Sequence, residues 1–196
     1  ARIRRLDEHA EIVIFERSGY MSYANCGLPY YIGGVIKERE NLFVQTPEKF
    51  GRLLNLDVRV QSEVLSIDRS GKQIRVREAN GREYSEHYDK LLLSPGALPF
   101  VPPLPGVDSP GVFTLRNVED TDAIKSYLDT HKVKRATVVG GGFIGLEMAE
   151  NLHARGIAVN VIEMAPQVMA PVDFSMATIV HAHLQEKGIG LYLGKA

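Results

Sequence analysis

Three features of the sequence predict an α/β fold. Short β-branched runs alternate with stretches of helical periodicity, turn and cap residues punctuate them, and one glycine-rich turn joins a strand to a helix. The 196 residues, 44% hydrophobic and 24% charged, suit a soluble globular chain of one large or two small domains. With 23 basic and 24 acidic residues, the chain has no basic excess to suggest a nucleic-acid partner. No apolar run approaches the ~20 residues that span a bilayer, so no membrane partner is expected. Ala1–Leu6 (ARIRRL) is basic and no apolar run follows it, so no secretory signal is expected.

The elements follow in order. Ala1–Asp7 has the character of a helix end, and Glu11–Phe15 (EIVIF) that of a short strand. A chain opening in the last turns of a helix is expected to lack a piece upstream. Asn25–Gly34 (NCGLPYYIGG) places Pro29 in a first helical turn, and Gly33-Gly34 ends it. Thr46 caps a helix running to Leu54, with Pro47 at its first position. Val58–Val60, Glu63–Asp68, Gln73–Glu78 and Arg82–Tyr84 are separated by turn pairs such as Ser70-Gly71 and Asn80-Gly81, which predicts a small antiparallel meander. Leu91–Leu93 predicts a buried strand closed by Ser94-Pro95-Gly96. Five prolines make Pro99–Pro110 an extended linker. Val118–Lys132 predicts a helix capped by Asn117, with acids in its first turn. A strand at Ala136–Val139, a helix at Gly145–Arg155, a strand at Val159–Ile162, a helix at Asp173–Lys187 and a strand at Gly190–Leu193 complete the chain. It is expected to stop in mid-fold.

Thr137–Glu147 (TVVGGGFIGLE) carries the most specific motif. Gly140, Gly142 and Gly145 form G-x-G-x-x-G between a strand and a helix, and Glu163 ends the next strand at about the 20-residue spacing of a ribose-binding acid. Gly140 permits the tight turn, Gly142 lets backbone approach a pyrophosphate, and Gly145 allows close helix–strand packing. Phe143 and Ile144, between the second and third of these glycines, are counted with them as NAD-binding residues, and the helix N-terminus that follows offers free N–H groups to the phosphates. The plain alternative is a glycine-rich turn without a ligand. Glu163 would bind a ribose 2′-hydroxyl and repel a 2′-phosphate, which favours NADH over NADPH. Glu147 either helps place the nicotinamide or is an ordinary helix glutamate. Glu16 ends the first strand as Glu163 ends its own. It is read as the ribose acid of a second nucleotide whose glycine loop lies upstream of Ala1, against the alternative of a surface glutamate.

Cys26 stands alone, which excludes an internal disulfide framework and suggests a reducing, cytoplasmic compartment. At the start of a predicted helix its thiolate is favoured by unpaired N–H groups and the helix dipole. The alternative is a buried, inert thiol. An oxidised Cys26 would have to be a sulfenic acid or a mixed disulfide with a small thiol. His181 and His183 fall on different faces of a helix and are read as ordinary helix residues, so no metal is expected.

Ser22–Gly34 (SYANCGLPYYIGG), GGGFIGLE and Tyr88–Gly96 (YDKLLLSPG) resemble the pyridine nucleotide-disulfide oxidoreductase family, over essentially the whole chain. Within it they are most similar to the single-cysteine branch of coenzyme A disulfide and persulfide reductases. The resemblance implies a Rossmann-like FAD domain over residues 1–115, containing the meander. A Rossmann-like NAD domain over residues 116–196 would follow, and dimerisation would occur through a C-terminal domain outside this chain. For FAD it implies Glu16, Arg17, Val64 through its backbone, Ser94, Pro95, Gly96 and Arg116. For coenzyme A it implies Ser22 and Asn25 beside the cysteine, with Arg2 and Arg5 offering charge to phosphates. The plain alternative for these arginines is a solvated helix end. The implied reaction passes electrons from NADH through FAD to Cys26 and on to a small-molecule disulfide or persulfide. The rivals are an NADH oxidase or peroxidase cycling Cys26 through sulfenic acid, and a nucleotide-binding redox module without turnover.

Overall fold

The computed structural model describes residues 1–195. In chain order the elements are α1 (Arg2–Leu6), β1 (Val13–Phe15), α2 (Leu28–Gly33), α3 (Pro47–Leu54), β2 (Asp57–Arg59), β3 (Ser62–Asp68), β4 (Gln73–Glu78), β5 (Glu83–His87), α4 (Val118–Thr130), β6 (Arg135–Val139), α5 (Phe143–Ala154), β7 (Ala158–Glu163), α6 (Phe174–Glu186) and β8 (Gly190–Leu193). They form two compact units. One comprises Ala1–Ala24 and Phe43–Leu98, the other Asn25–Leu42 and the chain from Pro99 onward. None of the described helices is long and apolar enough to cross a membrane.

In the first unit, β1 and β2 pair in parallel, Ile14 opposite Val58. The segment around Val58 was expected in the meander. It joins β1 instead, because α3 supplies the crossover that a parallel pair requires. Gln61, at φ 52°, then turns the chain away from β2. Thr46 caps α3 as expected, its hydroxyl accepting from the Lys49 N–H at 3.3 Å. The meander is therefore β3–β4–β5, with a bulge after Val64 and a core of Ile74 and Val76. Its turns form by side-chain capture of backbone: Asp68 accepts from Ser70 and Gly71, and Asn80 from Arg82. The last strand covers Glu83–His87 rather than Arg82–Tyr84.

The expected buried strand at Leu91–Leu93 is absent. The run is irregular, and Leu92 and Leu93 are 78% and 64% exposed. An apolar run becomes a strand only where a neighbouring edge takes up its backbone, and no described strand pairs with it. The proline-rich linker is free of helix and strand, as expected.

The second unit is a parallel sheet in the order β6–β7–β8. Its core joins Val159 and Val161 to Met148, Ala149 and Leu152 of α5, Leu184 of α6, Ile124 of α4 and Ile32 of α2. Asn117 caps α4, accepting from Asp120 N–H at 2.8 Å. The helix α5 starts two residues before its expected position, because Gly142 takes the extended N-cap conformation and Phe143 is already helical.

Between α4 and α5, Asp129 pairs with Arg155 and with Lys125. Its hydrogen bond to Arg155 holds the carboxyl below the usual range, with burial opposing and Lys125 adding to the effect. The unfolded chain therefore binds this proton more tightly than the folded one, and stability rises with pH across the window. The contribution is present above about pH 4, the ordinary aspartate range, and is lost as pH falls through the lower folded value. Thermal melts of wild type and Asp129→Asn should differ at pH 7 and converge as the pH is lowered.

Candidate functional site

At the end of β6 the chain turns through Gly140, at φ 106°, whose N–H donates to Ile162 O at 2.8 Å. A side chain of L configuration is strained there. Gly145 lies in the first turn of α5, and a Cβ on it would overlap Gly140 O. Gly142 differs from both: a Cβ there would meet nothing within 4 Å. The loop thus needs two glycines for its own closure and keeps open space at the third. Phe143 and Ile144 are exposed at the helix start.

The carboxylate of Glu163, at the end of β7, accepts from Gly141 N–H at 2.6 Å and from Ala165 N–H at 2.7 Å. It is therefore fixed against the glycine turn by backbone donors. The segment after it folds over the same turn. Met169 N–H donates to Gly141 O at 2.8 Å, and fully buried Val168 packs where a Cβ on Gly141 would stand, 2.7 Å from Val168 Cγ1. Val168 N–H in turn donates to His181 Nε2 at 3.2 Å. Two residues that sequence reasoning missed emerge here. Gly141 is required by packing, and His181, read as an ordinary helix residue, anchors the segment beside the acid. The unbroken run Gly140–Gly142 was a visible signal for Gly141, its middle residue, but no sequence spacing links residue 181 to residue 168.

Glu16 repeats part of this geometry in the first unit. Its Oε1 accepts from Ser18 N–H at 2.7 Å, the same two-residue reach that joins Glu163 Oε1 to Ala165. Arg17 beside it is exposed. Val64 stands on β3 at the bulge, and Ser94, Pro95 and Gly96 form an exposed irregular stretch with Gly96 at φ 71°. In the second unit, Arg116 N–H donates to Asp120 Oδ2 at 2.8 Å, just ahead of α4.

Cys26 is exposed, in a 3-10 turn over Asn25–Gly27 that leads directly into α2. The buried-thiol alternative is thereby removed. Pro29 lies in the first turn of α2, and Gly34 ends the helix in the left-handed conformation, as expected. Tyr30 on α2 lies in the negative field of Glu147, which, with burial and the charges of Glu150 and Cys26, raises its phenol above the usual range. Cys26, Tyr30 and Glu147 therefore share one neighbourhood within the second unit, and Asn25 adjoins it. Ser22 belongs to the first unit, where its carbonyl accepts from Val44 N–H at 3.1 Å. Arg2 and Arg5 are exposed on α1. Arg4 between them is structural: its guanidinium reaches Leu54 O at 2.9 Å and Asn55 O at 2.7 Å, at the C-terminal end of α3.

The second unit thus joins a sheet of parallel strands, a glycine turn between strand and helix, an acid held against that turn and an exposed thiol, an arrangement of the Rossmann-like class. The family model for pyridine nucleotide-disulphide oxidoreductases matches residues 1–196, and the chain belongs to that family. The chain is similar to a solved structure of reduced CoADR-RHD from Bacillus anthracis, with TM-score 0.96 and 53% identity over 99% of this chain and 35% of that one. It is 42% identical to a coenzyme A disulfide reductase of Staphylococcus haemolyticus, over 96% of this chain and 42% of the relative. It is 40% identical to an NADH oxidase of Methanocaldococcus jannaschii, over 98% of this chain and 43% of the relative. The chain thus spans less than half the length of the curated relatives it matches.

Proposed function

We propose that this chain supplies the FAD-binding (residues 1–115) and NAD-binding (residues 116–196) segments of a reductase. The enzyme would move electrons from NADH through Cys26 to coenzyme A disulfide or persulfide. The observation that carries this reading is the pairing, in one compact unit, of an exposed lone thiol with a glycine turn and its acid. The coenzyme A disulfide reductase relative supports the substrate class. The NADH oxidase relative favours the second reading, in which oxygen or peroxide oxidises Cys26 to a sulfenic acid.

The residues fit a dinucleotide. The open space at Gly142, the N-terminus of α5 with Phe143 and Ile144, and the carboxylate of Glu163 are the groups that would hold pyrophosphate and ribose. Glu16 repeats the acid's local geometry and would hold the ribose of FAD, and family membership extends FAD binding to Arg17, Val64, Ser94, Pro95, Gly96 and Arg116. When bound, NADH and FAD supply hydride transfer and two-electron storage. The sulfur of Cys26 does the rest. As a mixed disulfide with coenzyme A it takes up two electrons and one proton, its S–S bond breaks, coenzyme A leaves as a thiol and Cys26 remains as a thiolate. That thiolate attacks the next disulfide, displaces a second coenzyme A thiolate and restores the mixed disulfide. Ser22, Asn25, Arg2 and Arg5 would bind coenzyme A, and Glu147 would help seat the nicotinamide. The complete enzyme would be a cytoplasmic homodimer through a C-terminal domain.

The full-length protein should be yellow, and NADH should bleach its flavin absorbance faster than NADPH does. Glu163→Gln should narrow that preference about tenfold, equivalent to about 1.4 kcal/mol of lost charge repulsion against a 2′-phosphate. A colourless protein, or one that NADPH reduces faster, would overturn the assignment of the site.

A further inference from the structure

We propose that Arg155 and Asn151, at the C-terminal end of α5, are positioning residues for Cys26. The inference rests on the proposed function and deepens it. Cys26 is the second residue past the Ala24 boundary of the first unit, and Asn25–Leu42 packs with the unit built on β6–β8. Its anchor there is α2, a helix of 6 residues and so about 9 Å long. The last carbonyls of such a helix have no partner within it. Arg155 supplies one from outside, donating to Ile32 O at 2.9 Å while its other nitrogen pairs with Asp129 on α4.

Asn151 fixes the same end by shape. It is 2% exposed, and its Nδ2 donates to Glu147 O at 2.8 Å. That bond turns Oδ1 toward Gly33, so closely that a Cβ on Gly33 would overlap it. Around these two contacts, Ile32 is fully buried in the core, Lys125 lies 5.1 Å over the Tyr31 ring, and Arg39 forks onto Asp122. Arg155 sits at the end of α5 opposite Gly142, and Asn151 is spent on backbone, so neither residue addresses the nucleotide. What they hold is α2, and just outside the free end of α2 stands Cys26. A displacement of this short helix carries the thiol with it, and thiol–disulfide attack depends on reacting sulfur atoms meeting in line.

The full-length holoenzyme tests this. Arg155→Ala should lower kcat for coenzyme A disulfide about tenfold by misplacing the thiol. The KM for NADH should be unchanged. So should NADH-driven reduction of ferricyanide, a one-electron oxidant that needs no thiol. Arg155→Lys, which keeps the donor to Ile32 O but loses the fork, should recover part of the disulfide rate. An unaltered disulfide kcat, or an equal fall in disulfide and ferricyanide rates, would overturn the inference. If Arg155→Ala does not accumulate as folded holoenzyme, Arg155→Lys against wild type gives the same comparison and is read the same way. Cys26→Ser, measured alongside, separates the two levels: if it keeps disulfide turnover, the proposed function itself fails, whatever Arg155 does.

Discussion

Gly145→Ala is expected to cost the protein its NADH binding while leaving the strands of the parallel sheet in place. The added methyl would overlap the carbonyl oxygen of Gly140, so the turn and the first coil of α5 must move apart. Overpacking of this kind costs about 2 kcal/mol, which corresponds to about a thirtyfold loss of affinity if it falls on the bound geometry. The obstacle is backbone, and no flexible side chain can yield to relieve it. Gly142→Ala is the informative companion. Its methyl meets nothing in the protein, and its φ of −79° is acceptable to alanine. Stability should therefore be unaltered and only the NADH complex weakened. Thermal melts with and without NADH distinguish the two: Gly145→Ala lowers the midpoint in both conditions, and Gly142→Ala removes only the shift that NADH confers. A Gly145→Ala protein with wild-type NADH affinity would show that the turn does not hold the nucleotide.

Much of this was legible in the sequence because the decisive signals are local. The turn needs glycines at fixed spacings, the acid sits at a strand end, and Thr46 and Asn117 cap helices through their own side chains. What could not be read depends on partners far along the chain. Val58 has the alternation of a meander strand, and only the crossover through α3 sends it to β1. Leu91–Leu93 has a strand's composition, but composition cannot supply an edge to pair with. The start of α5 was misplaced because Gly145 was read as the helix start, whereas the turn ends at Gly142. Tyr30 near Glu147, Gly33 against Asn151 and Val168 on His181 are contacts between elements, and no pattern within a single element announces them.

Cys26→Ser is expected to have the largest effect on turnover. A serine hydroxyl cannot form or exchange a disulfide, so the step that joins the nucleotide to the substrate disappears. Loss of a covalent nucleophile of this kind lowers kcat about a thousandfold or more. Because Cys26 is exposed in a short turn, the substitution removes no buried packing, and folding and NADH binding should be unaffected. The oxidase reading makes a different prediction for the wild-type protein: NADH would be consumed only when oxygen or peroxide is supplied.

The most direct measurement is anaerobic. NADH and coenzyme A disulfide are mixed with the full-length wild-type and Cys26→Ser enzymes, and NADH loss is followed against the appearance of free thiol. Wild type should release both halves of the disulfide as coenzyme A thiol for each NADH consumed, and the serine variant should release almost none. Undiminished thiol release by the variant, or NADH consumption by wild type without any thiol, would contradict the account.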